Sequence, residues 1–187
     1  MQRIGQYLMA SALLTAFVLL SDARILAEDQ ASINKEILAI AKDLEAGKDI
    51  TSRAKAFRAK VEDLHDVMHA FKPRSKKGIG VGSTGAGLEL TIINLSKSAS
   101  ATIVQKQKQD LLQAGYTVLA INELTFLYPP AKPMGGKTAE DWKKYTEEAK
   151  KATLNFIAAV KASEAPKVKA AATALNNACN ECHSHFR

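Results

Sequence analysis

The sequence has little of what most small folds are built from. Two cysteines in 187 residues are too few for a disulfide scaffold and cannot supply a four-thiolate metal site. Aromatic residues make up only 6% of the chain. Alanine and lysine are abundant instead, which argues for helices and against a β-sandwich. Past residue 27 no stretch is apolar for long enough to cross a bilayer, which takes roughly 20 residues. What is present suits a globular core: 47% of the residues are hydrophobic, which excludes a disordered tail protein. Lys+Arg number 26 against 19 Asp+Glu, a net charge of +7. A basic surface admits nucleic acid, anionic membranes or acidic proteins and by itself selects none of them.

Residues 1–27 have the layout of a secretory signal peptide. Arg3 gives a positive start, and Tyr7 to Leu20 is an uncharged, mostly apolar stretch. Ser21-Asp22-Ala23 and Ile25-Leu26-Ala27 both offer small residues at a cleavage point. The apolar stretch is short for a membrane anchor, so cleavage is the expectation. Residues 28–187 then form one domain, periplasmic or otherwise exported, with no membrane span.

Five amphipathic helices are expected in that domain. Ile33, Ile37, Ile40 and Leu44 form one stripe over 29–46, and Gly47 ends it. Phe57, Val61, Leu64, Met68 and Phe71 continue the rhythm over 50–72, up to Pro73. A third helix spans 99–127 with Leu111, Ala114, Val118 and Ile121 on one face. A fourth spans 138–162 with Trp142, Tyr145, Ala149, Ala152, Phe156 and Ala159 aligned, and Thr138 with Asp141 resembles a capping box. The fifth, 165–186, opens at Pro166 and carries Val168, Ala172, Leu175, Cys179, Cys182 and Phe186 on its stripe. Such seams bury each other in an all-α, up-and-down bundle. Residues 74–98 are the exception. Arg74 to Gly87 is too glycine-rich for a helix interior, and Leu88 to Leu95 reads as a short helix or a strand.

The chain ends Cys179-Asn180-Glu181-Cys182-His183-Ser184-His185-Phe186-Arg187. Cys-x-x-Cys-His is the attachment signature of a c-type haem. Each thiol adds to one vinyl group of the porphyrin, and the next residue brings an imidazole to the iron as axial donor. Two competing readings are weaker. A redox dithiol wants a strand–helix junction, which the helical pattern lacks. A zinc site wants further ligands, and only His65, His69 and His185 remain.

A last helix ending Cys-x-x-Cys-His-x-x-Phe-Arg resembles the class II cytochromes c, the cytochrome c′ family. Trp142-x-x-Tyr145 opening the penultimate helix is similar to that family's third helix, so the resemblance covers about residues 101–187. It implies a four-helix bundle holding one covalent haem c. Cys179 and Cys182 would carry the thioether bonds and His183 would be the proximal iron ligand, with Phe186 and Arg187 packed near it. The sequence departs from the family by one additional N-terminal helix and a Gly-rich loop insertion. The second helix is expected to be the one that faces the distal side of the haem.

The group opposite His183 decides between functions. Met68 lies on the inward stripe of the second helix, where it serves either as an iron ligand or as core filler. His65 and His69 flank it and are the alternatives, with Met134 more remote; His185 is expected to be exposed. A methionine ligand would give an electron-transfer protein, a monohaem cytochrome c that is not an enzyme. An apolar distal side would instead give a five-coordinate haem protein binding a diatomic gas such as nitric oxide. The expected partner is a redox protein of acidic surface, and a homodimer follows by analogy with the family. Gly80-Val81-Gly82-Ser83-Thr84-Gly85 matches a dinucleotide-binding pattern but lacks the strand before it, so it reads as a flexible loop. The lysines lie without interleaved aromatics, so nucleic acid is not expected.

Overall fold

A computed structural model describes residues 30–186 of the chain. The expected signal peptide and Arg187 lie outside the described residues. The described residues form helices and no strand. Helix α1 covers residues 30–45, followed by α2 (Thr51–Lys60), α3 (Leu64–Met68), α4 (Leu88–Lys97), α5 (Ala101–Lys106), α6 (Lys108–Thr125), α7 (Ala139–Ala162) and α8 (Ala165–His185). Two 3-10 turns, His69–Phe71 and Arg74–Lys76, follow α3. Among the described residues none of these helices is long and apolar enough to cross a membrane.

Helix α7 is the centre of the packing, lying against α6 on one side and α8 on the other, and α8 in turn packs along α4. The helices alternate in direction. The Lys108 ammonium at the start of α6 donates to the Lys161 carbonyl at the end of α7, 2.7 Å away. At the other end the Trp142 indole N–H donates to the Thr125 carbonyl at 3.1 Å. Every α7 stripe residue expected from the sequence is buried, from Trp142 to Ala159. Thr138 and Asp141 form the complete capping box, and Pro166 sits in the first turn of α8. Helix α6 is buried on nearly all sides, because α1, α2 and α3 cover the face that α7 leaves open.

Helices α6 and α7 approach closely at Gly115. A β-carbon there would stand 2.7 Å from Ile157 Cγ1 and 3.4 Å from the Phe156 ring. Both side chains are buried and have nowhere to go. Gly115→Ala should therefore lower stability by about 1–3 kcal/mol through overpacking, even though alanine is the better helix former by about 1 kcal/mol. A thermal melt equal to or above that of the wild type would show that the two helices are not in such contact.

The expectations for the second and third helices need correction. The second helix is not continuous over 50–72. It stops at Lys60, Val61 is extended (φ −105°, ψ 102°), and Asp63 caps a new helix by accepting from the His65 N–H. The cause is tertiary: the buried Tyr128 hydroxyl donates to the Val61 carbonyl at 2.7 Å, an acceptor that a continuous helix would have needed. The inward stripe shifts as a result. Val67 and Ala70 are fully buried, whereas Met68 and Phe71 are half-buried. The third helix is likewise interrupted, at Gln107.

The stretch 74–98 contributes a fourth packed helix, α4, so α1, α2 and α3 all lie outside the α4–α8–α7–α6 set, where one additional helix was expected. Nor is the glycine loop a loose excursion. Val81 and Ala86 bridge across it, Arg74 donates to the Gly82 carbonyl, and Ile79 is buried. At Gly80 (φ +67°) a β-carbon would meet the Gly85 carbonyl oxygen at 2.7 Å, so the turn requires glycine there.

Candidate functional site

One cleft gathers side chains from five helices and one 3-10 turn. Helix α8 lends Asn176, Cys179, Asn180, Cys182 and His183; α7 lends Tyr145, Thr146 and Ala149; α6 lends Asn122 and Thr125. The opposite wall is Glu89 and Ile92 from α4, with Met68 and Phe71 from the end of α3 and the turn after it. The three residues of the Cys-x-x-Cys-His motif thus share a cavity with Met68. His65 and His69 do not line it: their rings meet edge to face at 4.3 Å. Burial, with Lys72 and His65 nearby, holds the His69 imidazole below its usual pKa. Met134 is exposed in a turn bridged to Lys137, also outside the lining.

The motif sits on the last turns of α8, and its placement follows from the helix period. Val168, Ala172 and Leu175 are fully buried. The same stripe continues into Cys179, Cys182 and Phe186, which are only half-buried; the cleft opens beneath the two cysteines. Residues three apart on a helix are neighbours, so the two thiols stand side by side on one wall. The next residue, His183, is exposed at the rim.

Phe186 packs edge-on against Trp142 at 5.0 Å and against Tyr145 at 6.0 Å, tying the end of α8 to the start of α7. His185 was expected to be exposed. It is half-buried instead, its ring tilted against Tyr145 at 5.3 Å with Glu181 3.5 Å away. Tyr145 is in reach because Trp142-x-x-Tyr145 runs along the facing side of α7.

The thiols are kept protonated. Burial, with Cys182 and Glu89 beside it, pushes Cys179 up to about 11, and burial also raises Cys182. A redox dithiol or a thiolate metal ligand needs the opposite, a lowered thiol pKa. Among the described residues no three His, Cys, Asp or Glu side chains come together to hold a metal ion. Two neighbouring thiols and one imidazole in a cleft with Phe71, Ile92 and Ala149 would suit a ligand that bonds to both sulfurs, accepts a nitrogen donor and is otherwise apolar. A porphyrin has those demands: two vinyl groups, an iron and flat apolar faces.

Sequence reasoning missed α4's share of the wall. Leu88, Ile92 and Leu95 are buried, and their spacings of four and three would have marked a helix whose first turn carries Glu89. The polar residues Asn122, Thr125, Thr146 and Asn176 left no such signal, since each reads as an ordinary helix position. Comparison with family models, curated proteins and solved structures finds no match for this chain.

Proposed function

We propose that the chain is an exported monohaem cytochrome c that transfers single electrons, with haem c joined to Cys179 and Cys182 and held by His183. The observation that carries the reading is the cleft, where both thiols, that imidazole and the Met68 thioether line one cavity. The helices α4, α6, α7 and α8 are then the four-helix bundle of the cytochrome c′ resemblance, and α1–α3 are additions to it. Haem bound there supplies reversible one-electron chemistry at iron. The protein's part is positional. Cys179 and Cys182 anchor one edge of the ring. His183 presents a nitrogen from a helix end braced by Phe186 on Trp142 and Tyr145. Phe71, Ile92 and Ala149 would exclude water from a bound ring, and Met68 would be the residue offering the iron a thioether. The exposed rim at Asn180 and His183 gives a redox partner access, and the net charge of +7 favours an acidic one.

A second reading draws on Phe71 and Ile92, which line the same cleft as Met68. If they rather than the thioether cover the iron, the protein is a five-coordinate binder of a gas such as nitric oxide. The resting ferric spectrum separates the two readings. Electron transfer with Met68 bound expects a low-spin spectrum, and a high-spin spectrum would hand the site to the gas reading.

The same placement makes the haem part of the core. Cys179, Cys182 and Phe186 continue the buried stripe of α8 without being buried by protein alone. A haem-free chain should therefore melt over a broad range and lose near-ultraviolet dichroism, a larger loss than a Leu→Ala cavity of about 2–5 kcal/mol. A sharp transition with unchanged dichroism would count against a haem in this cleft.

A further inference from the structure

We propose that Glu89 is a further cofactor-facing residue, whose carboxylate holds a negative charge against the ring carried by Cys179 and Cys182 and lowers its reduction potential. The inference rests on the haem reading above and adds a residue that sets the potential.

Glu89 is the one carboxylate among the residues that line the cleft. The Glu89 side chain is exposed at the mouth of the cleft, and its backbone is anchored by the neighbours on either side. Leu88 is 1% exposed and Ile92 5%, so both anchor the first turns of α4 in the core. Just before them, a β-carbon at Gly87 would stand 2.8 Å from the Phe71 carbonyl oxygen and 3.1 Å from the Pro73 nitrogen. That close approach pins the start of α4 to the chain that follows Met68. Helix α4 runs antiparallel to α8: Thr173 reaches the Ser96 carbonyl at one end, so the opposite end of α4 comes to Cys179. The proximity is felt electrostatically, since Glu89 helps keep the Cys179 thiol protonated. Among the described residues no cation pairs with the Glu89 carboxylate, so its charge is not cancelled locally.

Ferric haem carries one more positive charge than ferrous haem. A carboxylate at the mouth of the same cleft stabilises the ferric form, with water screening part of its charge. Local charge and burial are among the levers by which a protein sets a haem potential. Ile92 and Phe71 supply the burial, and Glu89 supplies the charge.

Spectroelectrochemical titration of the holoprotein tests this with Glu89→Gln, Glu89→Asp and Glu89→Ala, and with Glu140→Gln as control. Glu140 is exposed on the first turn of α7 and does not line the cleft. Glu89→Gln and Glu89→Ala should keep covalent haem and an unchanged ferric spin state. Each should raise the ferrous-to-ferric ratio at fixed potential by threefold or more. Glu89→Asp should stay near the wild type, as should Glu140→Gln. Unchanged ratios in both neutral variants with haem intact would overturn the role of Glu89, as would an equal shift in Glu140→Gln, which would reduce the effect to net charge. A change of spin state in Glu89→Gln would also overturn it, because the carboxylate would then be acting as a ligand. A wild type without covalent haem would sink the haem reading itself, a result distinct from all of these.

Discussion

Replacing Cys179 and Cys182 together by alanine should yield a chain whose haem passes entirely into acidic organic solvent, whereas the wild type keeps its haem through the same treatment. The difference is all-or-none because two kinds of bond are being compared. A thioether survives denaturation, but ligation of iron by His183 does not once the imidazole is protonated and the bundle has opened. The single variants should each retain haem through the remaining bond. Addition across a vinyl group joins sulfur to carbon and places the thiol proton on the neighbouring carbon, so the attachment balances without an oxidant. A wild-type chain that loses its haem to the solvent, or that never acquires any in a host able to make c-type cytochromes, would end the proposal.

The parts of the molecule legible in the sequence are those decided within one helix. The α7 stripe from Trp142 to Ala159, its capping box and the stripe of α8 down to Cys182 follow from a period of 3.6 residues and from contacts a few residues apart. The same period carried the two cysteines to one wall of the cleft. What escaped was decided by contacts between distant segments. The break at Val61 has one local mark, the capping Asp63, while the Tyr128 hydroxyl that takes up the Val61 carbonyl lies far along the chain. His185 leaves solvent because Tyr145 offers a ring at 5.3 Å. Glu89 becomes a cleft residue only because α4 packs along α8, in a segment whose glycine content drew attention to the loop before it. Met68 is an intermediate case. The expected stripe put it in the core, but the break at Val61 turned Val67 and Ala70 there and left Met68 and Phe71 half-buried at the cleft.

That turn gives Met68 the sharpest test of the distal side. Met68→Ala should convert the ferric spectrum from low-spin to high-spin, lower the reduction potential, and let carbon monoxide or nitric oxide bind faster. A thioether ligand favours ferrous iron and fills the sixth position, and alanine can do neither. The structure supplies internal controls. His65 and His69 lie on the same short stretch but outside the cleft lining, so His65→Ala and His69→Ala should leave spectrum and potential unchanged. Met134→Ala should do the same from its exposed turn. If either histidine variant produces the high-spin shift, that histidine is the ligand and the helix end must turn to deliver it. A wild type that is already high-spin would make Met68 a packing residue. The apolar pair Phe71 and Ile92 would then define a gas pocket, and replacing Ile92 by alanine should speed ligand entry where Met68→Ala does not.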